Sequence, residues 1–431
     1  MFSRLFALSA CASIGALIAA DSHAQTVEDA IAAALAHSPQ IELGEADTAT
    51  ARAERFGAFG RLLPSVSATI TASEENWRSD QLNRLRPEDG LTYALEFSQP
   101  VFQGGSAYYG LKDASSSVVA QRLLQNETRQ LVAQSAAIAH AALTLERETV
   151  AHRTKSLDLL IQQVDFTDRR RIAGAESLIA VSQARSRMEQ ERAELVRAEA
   201  RLAAAEAAYA RQTGRAADAE IIADAARIEN EVRSLTDAIS QALRSNPRLR
   251  ASDALVTAAQ HGRRSARGEL APKLSLDGQY QVFDLDESAR LSSASQEANE
   301  FQFVARLRIP LFQQGQNYSG VQSARARLAR ENAARRDARL ALEETVTANW
   351  TTLVSAAAAI EAAEAAVEAS EIVVDGQQAE YRSGSASIQD VLDGQRDLVF
   401  ARISLSQAQF DYRRARYELL ATMERLIPAG A

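Results

Sequence analysis

"TVEDAIAAALAHSPQI" at residues 26–41 recurs further along the chain as "SLTDAISQALRSNPRL" at residues 234–249. Both stretches carry an aspartate, an alanine–isoleucine pair, a leucine and a proline at matching positions. Three more matches follow in the same order: "LLPSVS" (62–67) with "LAPKLS" (270–275), "QPVFQGG" (99–105) with "IPLFQQG" (309–315), and "AGAESLIAVSQAR" (173–185) with "SGSASIQDVLDGQ" (383–395). The chain therefore consists of one structural unit written twice.

The prolines are duplicated together with the surrounding sequence. Six of the eight prolines form matched pairs, which are Pro39/Pro247, Pro64/Pro272 and Pro100/Pro310. Proline fixes φ and lacks an N–H donor, so it marks the boundaries of helices and strands. The duplicated boundaries predict two structural repeats, residues 25–231 and residues 232–431.

Each repeat is expected to begin with a helix of about 30 residues, because apolar residues such as Val27, Ile31 and Leu35 recur at helical spacing. After Pro64 and its match Pro272, apolar and polar residues alternate, as expected for strands of about 9 residues. These strands are expected to form β-hairpins over residues 65–99 and 273–309. A polar loop is expected over residues 74–90.

Long helical hairpins are expected over residues 105–214 and 315–427, where the sequence has no proline. Gly174 and Gly384 each interrupt the helical pattern and mark a turn. The first arm of each hairpin has about 64 residues, which corresponds to about 96 Å at 1.5 Å per residue. The seams are rich in alanine, so the helices can pack closely but depend on neighbouring hairpins for stability.

Composition and the N-terminus exclude several classes of function. The net charge of −8 comes without a basic stripe, so no nucleic-acid partner is expected.

Residues 1–24 have the pattern of a secretory signal peptide, with "SHA" at the cleavage site. "LSAC", ending at Cys11, also fits a lipobox, so lipidation is an alternative. Cys11 is the only cysteine, so the mature chain is expected to have neither disulfides nor thiol chemistry.

No catalytic or cofactor motif stands out in the sequence. The histidines are scattered, and no nucleophile elbow, phosphate loop or zinc-ligand spacing is present. We therefore expect no enzymatic activity, no bound metal and no cofactor. The spacing of Asp390 and Asp393 places both on one helix face, which fits either a solvated face or a ring of carboxylates lining a pore.

The alternating strands have two explanations. They can form hairpins that cover a soluble core, as in a soluble periplasmic coiled-coil adaptor or structural protein. They can also cross an outer membrane, because about 9 residues span a bilayer when the strand is tilted. Four strands cannot close a membrane barrel alone, and an open edge in lipid leaves backbone groups unsatisfied. Several chains would then have to share one barrel.

The ordered set of motifs resembles the TolC family of outer-membrane export ducts. The resemblance lies in the duplicated "D-A-I…A-L…P" starts, the "L-x-P-x-x-S" strand entries and the "P-(V/L)-F-Q-x-G" strand exits. The "Y-x-x-G…D-V-L-D" turn from Tyr381 to Asp393 also matches. The match covers nearly all of the predicted mature chain.

The resemblance implies a mainly α fold with a small β part. Four strands per chain would build a 12-stranded outer-membrane β-barrel in a homotrimer, continued by a long α-helical periplasmic barrel of coiled-coil hairpins. Family members are passive exit ducts that dock to a periplasmic adaptor (membrane fusion) protein and an inner-membrane ABC or RND-type transporter. The expected cargo is proteins or small toxic compounds, and the expected location is the outer membrane with a periplasmic extension.

The resemblance also assigns roles to individual residues. Asp390, Asp393 and Tyr381 would form a periplasmic gate. This chain has Ala386 and Ala180 where the family's gate carries an arginine and an aspartate, so the gate is expected to be held differently. The adaptor-contact tips would be Gly174, Ser177, Gly384 and Ser387, although helix-break glycines with serine N-caps explain these four equally well. The strand residues expected to face lipid are Leu91, Tyr93, Leu95, Phe97, Phe301, Phe303 and Leu307.

Overall fold

The computed structural model describes residues 26–79, 84–217, 232, 234–285 and 298–427 of the 431-residue chain. The signal peptide predicted at residues 1–24 lies outside the described residues. The first repeat contains α1 (Val27–His37), α2 (Pro39–Gly60), β1 (Ser65–Ser79), β2 (Arg84–Gln103), α3 (Ser106–Ile172) and α4 (Leu178–Thr213). The second contains α5 (Leu235–Ser245), α6 (Pro247–Gly268), β3 (Lys273–Leu285), β4 (Ala298–Arg308), α7 (Gln316–Ser383) and α8 (Ile388–Thr422). The fold is mainly α with one small sheet, as predicted.

The expected single helix at the start of each repeat is wrong, because the chain forms two helices there. Ser38 separates α1 from α2 in extended backbone with ψ 120°, and Pro39 is the first residue of α2. Asn246 and Pro247 divide α5 from α6 in the same way. Proline disfavours helical backbone in the preceding residue but fits the first helical position. Pro39 and Pro247 therefore start new helices.

The strands are longer than the expected 9 residues. The polar loop expected over residues 74–90 is wrong for residues 74–79 and 84–90, which belong to strands, and its residues 80–83 lie outside the described residues. β1 has 15 residues and β2 has 20, and they pair in register from Ser65↔Ser98 to Ser79↔Arg84. Antiparallel backbone hydrogen bonds satisfy the polar main chain whatever the side chains are. Pairing therefore continues into a stretch whose composition suggested a loop.

The four described strands form one antiparallel sheet in the order β1-β2-β3-β4. Its register places apolar residues of neighbouring strands opposite each other, as in the row Val66↔Phe97↔Gly278↔Phe303. The adjacent row, Ser67↔Glu96↔Gln279↔Gln302, is polar throughout. Side chains alternate between faces along a strand, so the sheet has one apolar and one polar face.

The helical hairpins are the longest elements and carry the buried core. α3 has 67 residues and α7 has 68, which corresponds to about 100 Å each at 1.5 Å per residue. α1 packs on α3 and α8 through Val27, Ile31 and Tyr417, and α5 packs on α7 and α8 around Leu419. Much of the remaining seam is alanine, which lets the helices approach closely. Within the described ranges, no helix combines the length and apolarity needed to cross a membrane.

Candidate functional site at the turns of the helical hairpins

The turns of the two helical hairpins lie side by side, at the ends of α3 and α7 that are remote from the sheet. Tyr381 and Ile388 of the second hairpin pack with Leu160 and Ala180 of the first in one buried cluster. This cluster brings the predicted gate residues and all four predicted tip residues into the same region. We refer to it as the tip cluster.

Both turns have the same backbone construction. Gly174 and Gly384 adopt left-handed backbone, with φ of 80° and 84°, and the turn amides bond back to the last helical carbonyls in a Schellman pattern. Ser177 and Ser387 are the N-caps of α4 and α8, and their hydroxyls accept from backbone amides three residues on. Local structure therefore accounts for the residue type at all four predicted tip positions.

Tyr381 is buried and is held by residues of α3 and the turn after it. The ring of Phe166 meets it edge-on at 6.1 Å, and the Arg170 guanidinium lies 5.0 Å from its ring centroid. Arg170 also donates to the Tyr381 carbonyl oxygen at 3.2 Å and lies 3.7 Å from the Glu176 carboxylate. The Tyr381 hydroxyl lies beside Thr167 and Glu176 but makes no hydrogen bond of good geometry. Burial raises the pKa of the Tyr381 hydroxyl, and the nearby Glu176 carboxylate adds to that increase.

Asp393 connects the two hairpins through an ion pair. Its Oδ1 accepts from Nη2 of Arg187 on α4 at 2.7 Å. Its Oδ2 accepts from the Gln389 side-chain amide at 2.9 Å, and the Arg396 guanidinium lies 3.6 Å from Oδ1. The Asp393 carboxylate is thus engaged by side chains of its own chain.

Asp390 has a different environment from Asp393. Its Oδ2 accepts from the Ser387 backbone N–H at 2.9 Å and from the Ser387 hydroxyl at 2.7 Å, which completes a capping box at the start of α8. These hydrogen bonds lower the pKa of the Asp390 carboxyl below its ordinary value of 3.8. The side chain is exposed. The two aspartates therefore share a helix face but have separate structural roles within one chain.

Sequence reasoning missed the three residues of the first repeat that hold this region together, Arg170, Glu176 and Arg187. A signal for them was present in the alignment of the repeats, since Arg170 corresponds to Glu380 and Arg187 to Asp397. Two such inversions of charge mark positions where the equivalent hairpins differ. Glu176 likewise stands at the position that Ala386 occupies in the second repeat.

The second predicted site is the apolar face of the sheet. Phe301 is 73 % exposed, and six of the seven residues predicted to face lipid are among the exposed large apolar side chains, the exception being the half-buried Phe97. All seven lie on the same face, as the strand pairing requires: Leu91, Tyr93, Leu95, Phe97, Phe301, Phe303 and Leu307. The structure therefore brings them together as one surface.

The polar face of the sheet carries a hydrogen-bonded charge cluster. Asp277 accepts from the hydroxyls of Ser98 at 2.7 Å and Ser275 at 3.1 Å, and Arg306 lies 3.4 Å from it. Glu96 lies one strand away and accepts from Ser67 at 3.5 Å. Such a face is suited to contact with water. Over the described ranges, no three His, Cys, Asp or Glu side chains are placed to hold a metal ion.

Comparison with known proteins identifies the family of the chain. The family model described as outer membrane efflux protein matches residues 30–215 and 238–423, once in each repeat. The outer membrane efflux protein BepC of Brucella suis biovar 1 is 26% identical over 336 residues, which cover 78% of this chain and 72% of BepC. The outer membrane protein TolC of Vibrio cholerae is 24% identical over 367 residues, which cover 84% of this chain and 83% of TolC.

The fold is shared with solved channel structures. The crystal structure of CusC superimposes with a TM-score of 0.82 at 18% identity, over 92% of this chain and 91% of CusC. The matched region includes both repeats, so the sheet and the long hairpins are common to the two proteins. The chain belongs to the outer membrane efflux protein family, as a TolC-like channel protein of the outer membrane with a periplasmic helical extension.

Proposed function

We propose that this chain is the protomer of a passive exit duct in a tripartite export system. Three copies would join their four-stranded sheets into a 12-stranded barrel, and their hairpins would form a tunnel about 100 Å long below it. The duct would dock to a periplasmic adaptor and an inner-membrane ABC or RND-type transporter. Its cargo would be proteins or small toxic compounds.

One observation carries this proposal. The sheet exposes a mostly apolar face, and its outermost strands β1 and β4 have no partner on their outer edges among the described strands. Unpaired edges next to an exposed apolar face are costly in water and forbidden in lipid. Closing the sheet with further copies of the chain removes both costs, and the directly attached long helices then surround a common axis.

The tip cluster is proposed as the closed entrance of this duct. Arg187 and Asp393 hold the second hairpin against the first, and Arg170 holds Tyr381 in the same position. Threefold symmetry would place three copies of Asp390 and Asp393 around the axis, where their repulsion would favour bound cations. The gate of this chain would thus be held by α3 and α4 residues instead of residues at positions 180 and 386.

The turns are proposed to contact the adaptor. Beside Gly174 the first turn exposes three large apolar side chains, Ile172, Leu178 and Ile179, which are 69–73 % exposed. Such residues at the end of a helical hairpin suit an end-on contact with another protein. The second turn is polar and compact around Gly384 and Ser387.

Membrane fractionation, native mass and site-specific cross-linking test the proposal together. We expect the protein in the outer-membrane fraction, extracted only by detergent, with a native mass of three chains. A photo-cross-linker at Leu178 should capture the adaptor, whereas one at Val196, also exposed but far along α4, should not. A monomer in the soluble periplasmic fraction would instead indicate a soluble coiled-coil adaptor or structural protein.

A further inference from the structure

Within one chain, α6 lies in a groove between α3 and α7. On one side Arg248 forms a 3.5 Å ion pair with Glu127 of α3, and Gly262 lies against Asp113 of the same helix. On the other side Asp253 forms a 2.5 Å ion pair with an arginine of α7. The helix is therefore covered on two flanks.

The counterpart of α6 in the first repeat, α2, is covered on one flank. It packs on α3 through Gly44 and Thr48, whose hydroxyl donates to Gln125 at 3.0 Å. Its other flank is exposed: Leu43 is 67 % exposed, whereas the equivalent Ala251 of α6 is 1 % exposed. The flank of α2 that corresponds to the α3-facing flank of α6 is thus free in the single chain.

The repeat indicates what covers this flank. The counterpart of α3 is α7, so the flank of α2 that lacks a neighbour should receive α7 of a second copy. The sheet gives the same answer independently. β1 follows α2 and β4 precedes α7, and these two strands have the free edges of the described sheet. A copy that places α2 on α7 also places its β1 beside β4.

The residues in contact follow from the in-chain contact between α6 and α3. Gly262 meets Asp113 and Arg248 meets Glu127, so the contacting stripes of α6 and α3 run antiparallel. Midway between these two contacts, Leu255 of α6 lies opposite Ala120 of α3. Both stripes repeat every seven residues, which keeps them on one helix face. Ala120 is 1 % exposed and Leu255 is half-buried, so the in-chain midpoint is apolar.

The equivalent positions between copies are charged. The counterpart of Leu255 is Asp47 and that of Ala120 is Arg330. Asp47 is exposed and forms no ion pair within the described part of the chain. The Arg330 side chain is 79% exposed and pairs with the adjacent Glu331. We propose that Asp47 of one copy pairs with Arg330 of the next, as the centre of an acidic-on-basic contact between α2 and α7.

The overall charge of the helices supports the contact of an acidic α2 with a basic α7. α2 carries four carboxylates and two arginines, whereas residues 316–341 of α7 carry six arginines and two carboxylates. α6 carries five arginines and one aspartate. The basic flank of α7 that would attract α2 of another copy would therefore repel α6 of another copy. Opposite charges therefore distinguish two contacts that the repeat makes geometrically alike. The correspondence ends near the sheet, where Gln314 replaces Gly104, which packs closely on Gly268.

This inference deepens the proposed homotrimer and is tested by disulfide cross-linking in a Cys11→Ser background. Differently tagged chains carrying Asp47→Cys or Arg330→Cys are co-expressed and oxidised in detergent. We expect a mixed dimer that contains both tags, and no product from either variant alone, because the two positions lie on opposite sides of a protomer. Arg336→Cys, exposed on another face of α7, is the matched control and should not cross-link to Asp47→Cys.

The outcomes separate the contact from the assembly. A native mass of three chains without the mixed disulfide overturns the α2–α7 contact and leaves the trimer standing. A detergent-extracted monomer overturns both. Asp47→Cys cross-linking to itself indicates a two-fold contact and overturns the cyclic arrangement. As a second readout, Asp47→Arg and Arg330→Asp should each lower the temperature at which the oligomer dissociates, and the double swap should restore it.

Discussion

Arg187 on α4 and Asp393 on α8 form a 2.7 Å ion pair that joins the first helical hairpin to the second. The two side chains are 28% and 38% exposed, so the pair stabilises the contact only modestly, by about 0.2–1 kcal/mol. Under the proposed function a trimer would contain three copies of this ion pair. All three would hold the same entrance closed, so their contributions would add.

Replacing Arg187 with alanine should therefore open the entrance. Loss of one pair is expected to raise the open population of each protomer by about 1.4- to 5-fold, with the three copies adding to the effect. The measurement is single-channel conductance in a planar bilayer. Arg185→Ala, which removes an exposed arginine without an ion pair in the described part of the chain, is the control. The charge swap Arg187→Asp with Asp393→Arg should restore low conductance. Equal conductance of Arg187→Ala and Arg185→Ala would contradict the proposal that the Arg187–Asp393 pair holds the entrance closed.

Tyr381 is expected to act through packing and not through its hydroxyl. Tyr381→Ala removes a buried ring held by Phe166 and Arg170 and should cost about 3–5 kcal/mol locally. Tyr381→Phe keeps the ring and removes a hydroxyl without a well-formed hydrogen bond, so its effect should be small. Hydrogen exchange of residues 160–188 measures the difference. Equal loss of protection in both variants would show that the hydroxyl matters more than the ring.

Asp390 is expected to stabilise the start of α8 in a pH-dependent way. Asp390→Ala should destabilise the start of α8, because it removes the Asp390 half of the capping box. Because the folded-state pKa of Asp390 is lowered, its contribution is present above the ordinary value of 3.8 and is lost as pH falls through the lowered value. The gap in Tm between the natural chain and Asp390→Ala should therefore be present at neutral pH and close in acid. A gap that stays constant down to the lowest pH would rule out this capping role.

The two faces of the sheet should respond oppositely to charge. Phe303 and Gln302 are neighbours on β4 but lie on the apolar and polar faces, respectively. Phe303→Arg should cost about 2–4 kcal/mol if that face meets the bilayer core and should reduce the amount assembled in the outer membrane. Gln302→Arg should assemble normally. Normal assembly of both variants would place the apolar face outside lipid.

The sequence repeat predicted the fold well because prolines and glycines mark boundaries whatever surrounds them. Five of the six paired prolines lie at the ends of elements, the exception being Pro100 inside β2. Gly174 and Gly384 locate the turns of the hairpins. The split at Ser38 was also readable, because the residue before a proline leaves helical backbone. The extent of β1 and β2 was not, since pairing of the backbone carries polar residues that resemble a loop.

The candidate site was predicted less completely. The sequence identified Tyr381, Asp390 and Asp393, but not the residues that hold them. The partner of Asp393 lies in the other repeat, and local spacing carries no information about such a contact. Inverted charges at equivalent positions, such as Arg187 and Asp397, were the available clue. Such inversions are informative because two copies of one fold differ where their surroundings differ.

The most direct test of the duct is ion selectivity and cation block in a planar bilayer. The natural protein should give a small, cation-selective conductance that multivalent cations block, because carboxylates of three chains would meet at the entrance. The double variant Asp390→Ala with Asp393→Ala should conduct without that block. A natural protein that gives no channel, or a double variant blocked as strongly as the natural protein, would contradict the proposed duct or its acidic entrance, respectively.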